Sequence, residues 1–318
     1  MERSLMYREI KALASRLQRQ PHTSANTVDK SPIDPTNHGF SEHLVTLQGV
    51  QVFVRTLGDP AKKAVICWHG FARNGSDFLS LARVLSSRFF VICPDTPGRG
   101  YSDWIDANRY NFSFYHSLAV DLLKVFNVRG RAHWIGTSMG GVLGMMMASD
   151  PRTRGLIDRL VINDIGPEVP QEAIDRIREY ASEPQFFPSL AEARSYFEKI
   201  YASFGYLSNE EWDLLVIHSL RRLDDGTFTQ HYDPNILKQF GGAQCPALAW
   251  VMFSSITCAM LVIRGTNSDV LPLPLAERMV DSALRVRRLD VPEAGHAPFL
   301  NTREQISEIS AFLADRSC

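Results

Sequence analysis

The residues with the clearest chemical signature lie at positions 136 to 140 and read Gly-Thr-Ser-Met-Gly. They follow a short apolar run that ends at Ile135 and precede a stretch rich in small residues. A G-x-S-x-G pattern between a strand and a helix is typical of a nucleophile elbow, a strained turn that presents the serine Oγ. Glycine suits its flanks, because a side chain there would collide with neighbouring backbone. The pattern predicts that Ser138 is a nucleophile for acyl transfer.

Two further chemical groups follow later in the chain, each after an apolar run. His296 lies beyond the run Val286 to Val291 and can act as the base that a serine hydroxyl needs at neutral pH. Asp269 lies beyond the run Ala259 to Ile263, and a carboxylate can hold the imidazole tautomer and stabilise the imidazolium. The order Ser138, Asp269, His296 therefore predicts a Ser-His-Asp triad.

A second carboxylate is an alternative for the acid. Asp164 also follows an apolar run, Leu160 to Ile162, by two residues. We assign the acid to Asp269 and interpret Asp164 as a carboxylate that organises its loop. His69 is interpreted as a structural histidine that ties loops together. We interpret three further residues as a scaffold that holds their loop in shape, and they are Asp95, Arg99 and Ser102.

Three more motifs resemble those of the α/β-hydrolase superfamily, and the resemblance covers roughly residues 43 to 316. They are Trp68-His69-Gly70-Phe71, the segment from Pro94 to Asp103, and Gly295-His296. The resemblance implies that the backbone amides of Phe71 and Met139 form an oxyanion hole. The serine at the elbow excludes the epoxide hydrolases and haloalkane dehalogenases, whose elbow carries aspartate.

Finer details are similar to a bacterial carboxylesterase-like branch of serine hydrolases with a helical cap. They are Arg73-Asn74, the segment from Asn163 to Pro167, and Tyr232-Asp233-Pro234. The resemblance implies an α/β-hydrolase fold, which is a mostly parallel central sheet with helices on both faces and an inserted helical cap. We expect the core at residues 41–166 and 251–318 and the cap at 167–250. Two capping-box pairs, Ser189 with Glu192 and Ser208 with Glu211, predict helix starts within the cap.

The first 40 residues are expected to form a separate N-terminal helix and linker. Apolar side chains recur there at helical spacing among arginines and lysine, and they are Met6, Ile10, Leu13 and Leu17. A helix packed on its own domain or against a dimer mate is favoured over one that touches a membrane surface. The sequence therefore leaves open a homodimer formed through this helix.

Composition narrows the range of functions. With 318 residues, 45 % of them hydrophobic, the chain can bury a substantial core. A formal net charge of −1 gives no global electrostatic case for nucleic acid. No apolar run approaches the roughly 20 residues that cross a bilayer, so no integral membrane segment is expected. The five cysteines are interpreted as reduced residues of a cytoplasmic protein.

The predicted function is hydrolysis of a small-molecule carboxylic ester through a Ser138 acyl-enzyme, with no metal or organic cofactor. Fold and triad do not fix the leaving group. A lactone or a carbon-carbon bond of a diketone is therefore an alternative substrate for the same triad. A ligand-binding protein that keeps the fold without turnover is the alternative from another functional class.

Overall fold

An eight-stranded sheet forms the centre of the protein in a computed structural model, which describes residues 39–241 and 245–315. Its strands are β1 (Ser41–Leu47), β2 (Val50–Leu57), β3 (Ala64–Trp68), β4 (Phe90–Pro94), β5 (Ala132–Thr137), β6 (Ile157–Asn163), β10 (Ala259–Gly265) and β11 (Val286–Val291). They lie in the order β1-β2-β4-β3-β5-β6-β10-β11. The pairs β1/β2 and β2/β4 are antiparallel and the other described pairs are parallel. The mostly parallel sheet predicted from the sequence is confirmed.

Helices cover both faces of this sheet. The helices outside the insert described below are α1 (Leu79–Leu85), α2 (Phe112–Val125), α3 (Met139–Ser149), α7 (Pro246–Ser254), α8 (Leu273–Ser282) and α9 (Arg303–Ala314). Buried residues of α1 and α9 share one apolar cluster with one face of the sheet. Those of α2, α3, α7 and α8 share a second cluster with the opposite face. Successive side chains of a strand point to opposite faces of the sheet, so one strand contributes to both clusters. In β3, Val65 and Cys67 lie in the first cluster, while Ile66 and Trp68 lie in the second.

A segment that we call the insert, residues 171–241, separates β6 from α7. It contains the helices α4 (Gln171–Ser182), α5 (Leu190–Ile200) and α6 (Asn209–Ser219) and the short strands β7 (Phe186–Phe187), β8 (Leu220–Arg222) and β9 (Phe228–Gln230). The predicted helix starts are present: Ser189 caps α5, and Ser208 with Glu211 forms a full capping box on α6. The small antiparallel sheet β7-β9-β8 was not predicted.

The expected boundary of the cap at residue 250 falls inside α7. Trp250 and Phe253 of that helix belong to the apolar cluster of the core, so α7 packs with the core. The expected N-terminal helix and its role in a homodimer lie outside the described residues. None of the helices in residues 39–241 and 245–315 is long and apolar enough to cross a membrane.

Candidate active site

The turn between β5 and α3 has the backbone that the elbow motif predicts. Ser138 has φ +51° and ψ −113°, which places it in a left-handed region that non-glycine residues rarely adopt. A Cβ added to Gly136 would lie 2.1 Å from the carbonyl oxygen of Gly140. One added to Gly140 would lie 2.0 Å from the carbonyl oxygen of Trp68. Glycine is therefore required on both sides of the serine, because α3 starts in direct contact with β3 and β5.

A chain of hydrogen bonds links Ser138 to a histidine and a carboxylate. His296 Nε2 lies 2.9 Å from Ser138 Oγ, and His296 Nδ1 lies 2.9 Å from Asp164 Oδ2. A carboxylate oxygen accepts, so the hydrogen-bond network assigns the imidazole proton to Nδ1 and leaves Nε2 to accept from the serine hydroxyl. Asp164 is fully buried, and Ser138 and His296 are each 9 % exposed.

Asp164 directly follows β6 and is fixed by donors from the last residue of β10 and from the loop that follows it. The Gly265 amide donates to its Oδ1 at 2.8 Å, and Ser268 Oγ donates to its Oδ2 at 2.6 Å. Ser268 Oγ in turn accepts from the amides of Val270 and Leu271. Three donors, counting His296, therefore satisfy a carboxylate that has no access to solvent, which is the condition for burying such a charge.

The prediction that Asp269 holds His296 is wrong. Its side chain is 49 % exposed and forms a bidentate ion pair with Arg176 of α4, with N–O distances of 2.6 and 2.8 Å. The reason is the path of the loop after β10. Ser268 points inward to Asp164, and the next side chain points outward to the insert. The carboxylate beside the histidine is Asp164, so its interpretation as a loop organiser alone is also wrong.

The turn that carries Phe71 runs alongside the serine. A Cβ added to Gly70 would lie 3.8 Å from Ser138 Cβ. The Gly70 carbonyl accepts from His69 Nδ1 at 2.7 Å and from the Arg73 amide at 3.3 Å. The carbonyl and the N–H of one peptide point in opposite directions, so these bonds also fix the direction of the Phe71 N–H. Met139 is the first residue of α3, where a helix leaves N–H groups without an intrahelical acceptor.

His69 is fully buried and acts as a neutral tie between two loops. The Thr96 amide donates to its Nε2 at 2.8 Å, so its proton lies on Nδ1 and is donated to Gly70. Burial lowers the pKa of His69 to about 3, with a smaller lowering from Arg99 and Arg73. This arrangement agrees with the structural role interpreted from the sequence.

The insert contacts the candidate site from two directions. The Gly295 amide, next to His296, donates to the carbonyl of Ser203 in the insert. Arg99 donates through Nε to the Phe71 carbonyl at 2.9 Å and through Nη2 to Gln239 of the insert at 3.0 Å. The turn of Phe71 and the turn of His296 are thus each tied to the insert.

Sequence reasoning missed the contribution of Ser268. No motif marks it, since its role depends on meeting a carboxylate more than a hundred positions away. A signal for Asp164 existed, because it follows the apolar run Leu160 to Ile162. In the structure that strand, β6, pairs with β5 and ends beside the elbow. Among residues 39–241 and 245–315, no group of three or more His, Cys, Asp or Glu is arranged to hold a metal ion.

Comparisons with known proteins agree with this architecture. A family model described as the alpha/beta hydrolase family matches residues 65–309. A 3-hydroxybutyrate-oligomer hydrolase from Cupriavidus necator is 36 % identical over 261 residues, which cover 79 % of this chain and 88 % of that protein.

Solved structures are also similar over most of the chain. An alpha/beta hydrolase from Novosphingobium aromaticivorans is 30 % identical with a TM-score of 0.79, and the match covers 86 % of this chain and 98 % of that one. A protein from Rickettsia typhi assigned as a hydrolase is 28 % identical with a TM-score of 0.78, covering 92 % of this chain and 98 % of that one. These matches confirm the predicted fold class.

Proposed function

We propose that this chain, a hydrolase that belongs to the alpha/beta hydrolase family, cleaves carboxylic esters through an acyl-enzyme on Ser138. The observation that carries the proposal is the continuous chain of 2.9 Å contacts from Ser138 Oγ through His296 to Asp164 Oδ2. A hydroxyl, an imidazole and a buried carboxylate in this order are the parts that activate a serine for acyl transfer.

The first half of the reaction forms the acyl-enzyme. Ser138 Oγ attacks the ester carbonyl carbon while His296 Nε2 takes the hydroxyl proton, and Asp164 stabilises the imidazolium that results. The tetrahedral intermediate collapses when the C–O bond to the alcohol breaks. His296 then returns its proton to the leaving alkoxide, so the alcohol departs as a neutral molecule.

The second half reverses these roles with water. His296 Nε2 takes a proton from water as its oxygen attacks the acyl carbon, and the proton then passes to Ser138 Oγ as the acid is released. In both halves the amides of Phe71 and Met139 donate to the oxygen that gains negative charge. Removal of one such donor typically costs ~10² to 10³ in rate.

The substrate class that the comparisons favour is an ester of a short hydroxy acid. The relative from Cupriavidus necator is a hydrolase of 3-hydroxybutyrate oligomers, and the similarity covers 88 % of its length. We therefore propose 3-hydroxybutyrate oligomers, which are joined by ester bonds, as the first substrates to test. The alternatives are a lactone and a carbon-carbon bond of a diketone, for which the same nucleophile would attack a carbonyl with a different leaving group.

The test is a substrate panel with wild-type protein and the Ser138→Ala variant as the blank. We expect release of free 3-hydroxybutyrate from its dimer and trimer, and a loss of about 10⁴-fold or more in kcat for Ser138→Ala. The melting temperature should change little, since the hydroxyl contributes little packing. Esterase activity retained in Ser138→Ala would contradict the nucleophile. Turnover of the lactone or the diketone alone would contradict the ester substrate while keeping the triad.

A further inference from the structure

Four arginines surround a cavity of about 340 Å³ at the edge of the sheet opposite the candidate active site. Its polar lining includes Arg131, Arg154, Asp158, Arg159, Thr257 and Arg285. These residues precede or begin β5, β6, β10 and β11, so the cavity lies at the amino ends of parallel strands. The triad residues follow the carboxyl ends of strands in the same sheet, so a ligand here would not compete with substrate.

The charge of this cavity is unbalanced. Asp158 is the carboxylate in the lining, and it is already engaged by Lys63 and lies 3.7 Å from His133 Nδ1. In the part of the chain that the structure describes, the guanidinium groups of the three exposed arginines have no carboxylate partner. These three are Arg131, Arg154 and Arg285. Among the described residues, the lining therefore carries four guanidinium groups against one carboxylate, which gives the cavity an excess of positive charge.

Arg159 contributes a fourth guanidinium to the lining, and this one is buried. It is 6 % exposed, its guanidinium lies 5.3 Å from the centre of the Phe312 ring, and its Nη2 donates to the carbonyl of Asp315. Within residues 39–241 and 245–315, no group accepts a hydrogen bond from its Nη1. As a lining residue, Arg159 adds its positive charge to that of the three exposed arginines. The stacked and hydrogen-bonded guanidinium is also held in place before any ligand arrives.

We propose that this cavity binds a small anion that carries two or more negative charges on phosphoryl or carboxylate oxygens. Guanidinium groups form paired hydrogen bonds with both kinds of oxygen, and several arginines can share one multivalent anion. The hydroxyl of Thr257 adds a neutral donor to the lining. This inference is independent of the proposed ester hydrolysis, because none of the lining residues takes part in it.

Calorimetric titration of the full-length protein with pyrophosphate, and separately with citrate, tests the proposal. We expect saturable binding of one equivalent, and the tighter of the two ligands identifies the phosphoryl or the carboxylate class. Arg131→Gln and Arg285→Gln should each raise Kd about tenfold or more, as expected for the loss of one charge-assisted contact. Both side chains are exposed, so melting curves should show a folded protein for each variant.

The matched control is Arg287→Gln. Arg287 lies on β11, has Glu308 as a neighbour at 3.8 Å and is outside the cavity lining. The control should leave Kd within about twofold, and Ser138→Ala should bind pyrophosphate as the wild type does. No saturable heat with either anion would overturn the proposal, and so would an equal loss of affinity in the Arg287→Gln control. It would also be overturned if sodium chloride at equal ionic strength raised the melting temperature as much as pyrophosphate or citrate does.

Discussion

Two loops at the same edge of the sheet each carry an aspartate, and their environments are opposite. The loop after β6 buries Asp164 completely and surrounds its carboxylate with three hydrogen-bond donors. The loop after β10 leaves Asp269 about half exposed and paired with Arg176 of the insert. A buried carboxylate with fixed donors can orient an imidazole, whereas an exposed ion pair contributes little beyond local order. Position at a strand end is therefore not sufficient for an acid of a triad; the carboxylate must also point toward the histidine and be held there.

The largest expected effect separates these two aspartates. Asp164→Asn should lower kcat on a soluble p-nitrophenyl ester by roughly 10³ to 10⁴-fold near neutral pH, because the amide favours the wrong imidazole tautomer. Asn tolerates the positive φ of +58° at this position, so the fold should persist. Asp269→Asn is the matched control and should leave kcat within about twofold. An equal loss of kcat in the two variants would contradict the assignment of the acid to Asp164 alone.

An intermediate effect is expected where the two loops meet. Ser268→Ala removes a donor to the Asp164 carboxylate and the acceptor of the Val270 and Leu271 amides. A hydrogen bond to a charged group is worth about 1.5–3 kcal/mol, so we expect a loss of about tenfold or more in kcat with KM nearly unchanged.

Ser310→Ala is the control for that measurement, because this serine bonds only to the carbonyl of Ile306 in its own helix among the described contacts. It should leave kcat unchanged. If Ser268→Ala lowered the melting temperature but left kcat at the wild-type value, Ser268 would stabilise the loop without positioning the acid.

The smallest effect is expected at the exposed ion pair. A double-mutant cycle of Arg176→Gln and Asp269→Asn should give a coupling of about 0.2–1 kcal/mol in unfolding free energy, and the coupling should shrink as salt is added. Urea unfolding at low and high ionic strength measures it. A coupling several times larger, or one insensitive to salt, would mean that this pair is shielded from solvent and holds the insert on the core.

The sequence was sufficient to predict the strained turn at Ser138 between a strand and a helix, since steric conflict at Gly136 and Gly140 leaves few other backbones. It was not sufficient to choose the acid. Strands β6 and β10 are parallel neighbours, so the loops that carry Asp164 and Asp269 leave the sheet at the same end. Which carboxylate points inward depends on the contact between Ser268 and Asp164, which joins segments far apart in the chain.

The insert shows a second kind of limit. Its helices begin at local signals such as the pair Ser208 and Glu211, and these were predicted. Strands β7, β8 and β9 have only two or three residues each, which is too short for an alternating pattern to stand out. The basic cavity was also not predicted, because its four arginines come from separate segments that only the folded sheet brings together.

The rate of labelling by a fluorophosphonate tests the central claim most directly, since Ser138 Oγ would displace fluoride with the help of His296 and Asp164. The account predicts one adduct, mapped by peptide mass spectrometry to Ser138. It also predicts a wild-type rate in Asp269→Asn and a rate about 10³-fold lower in Asp164→Asn. Labelling at another residue, or a rate that falls in Asp269→Asn and not in Asp164→Asn, would contradict it.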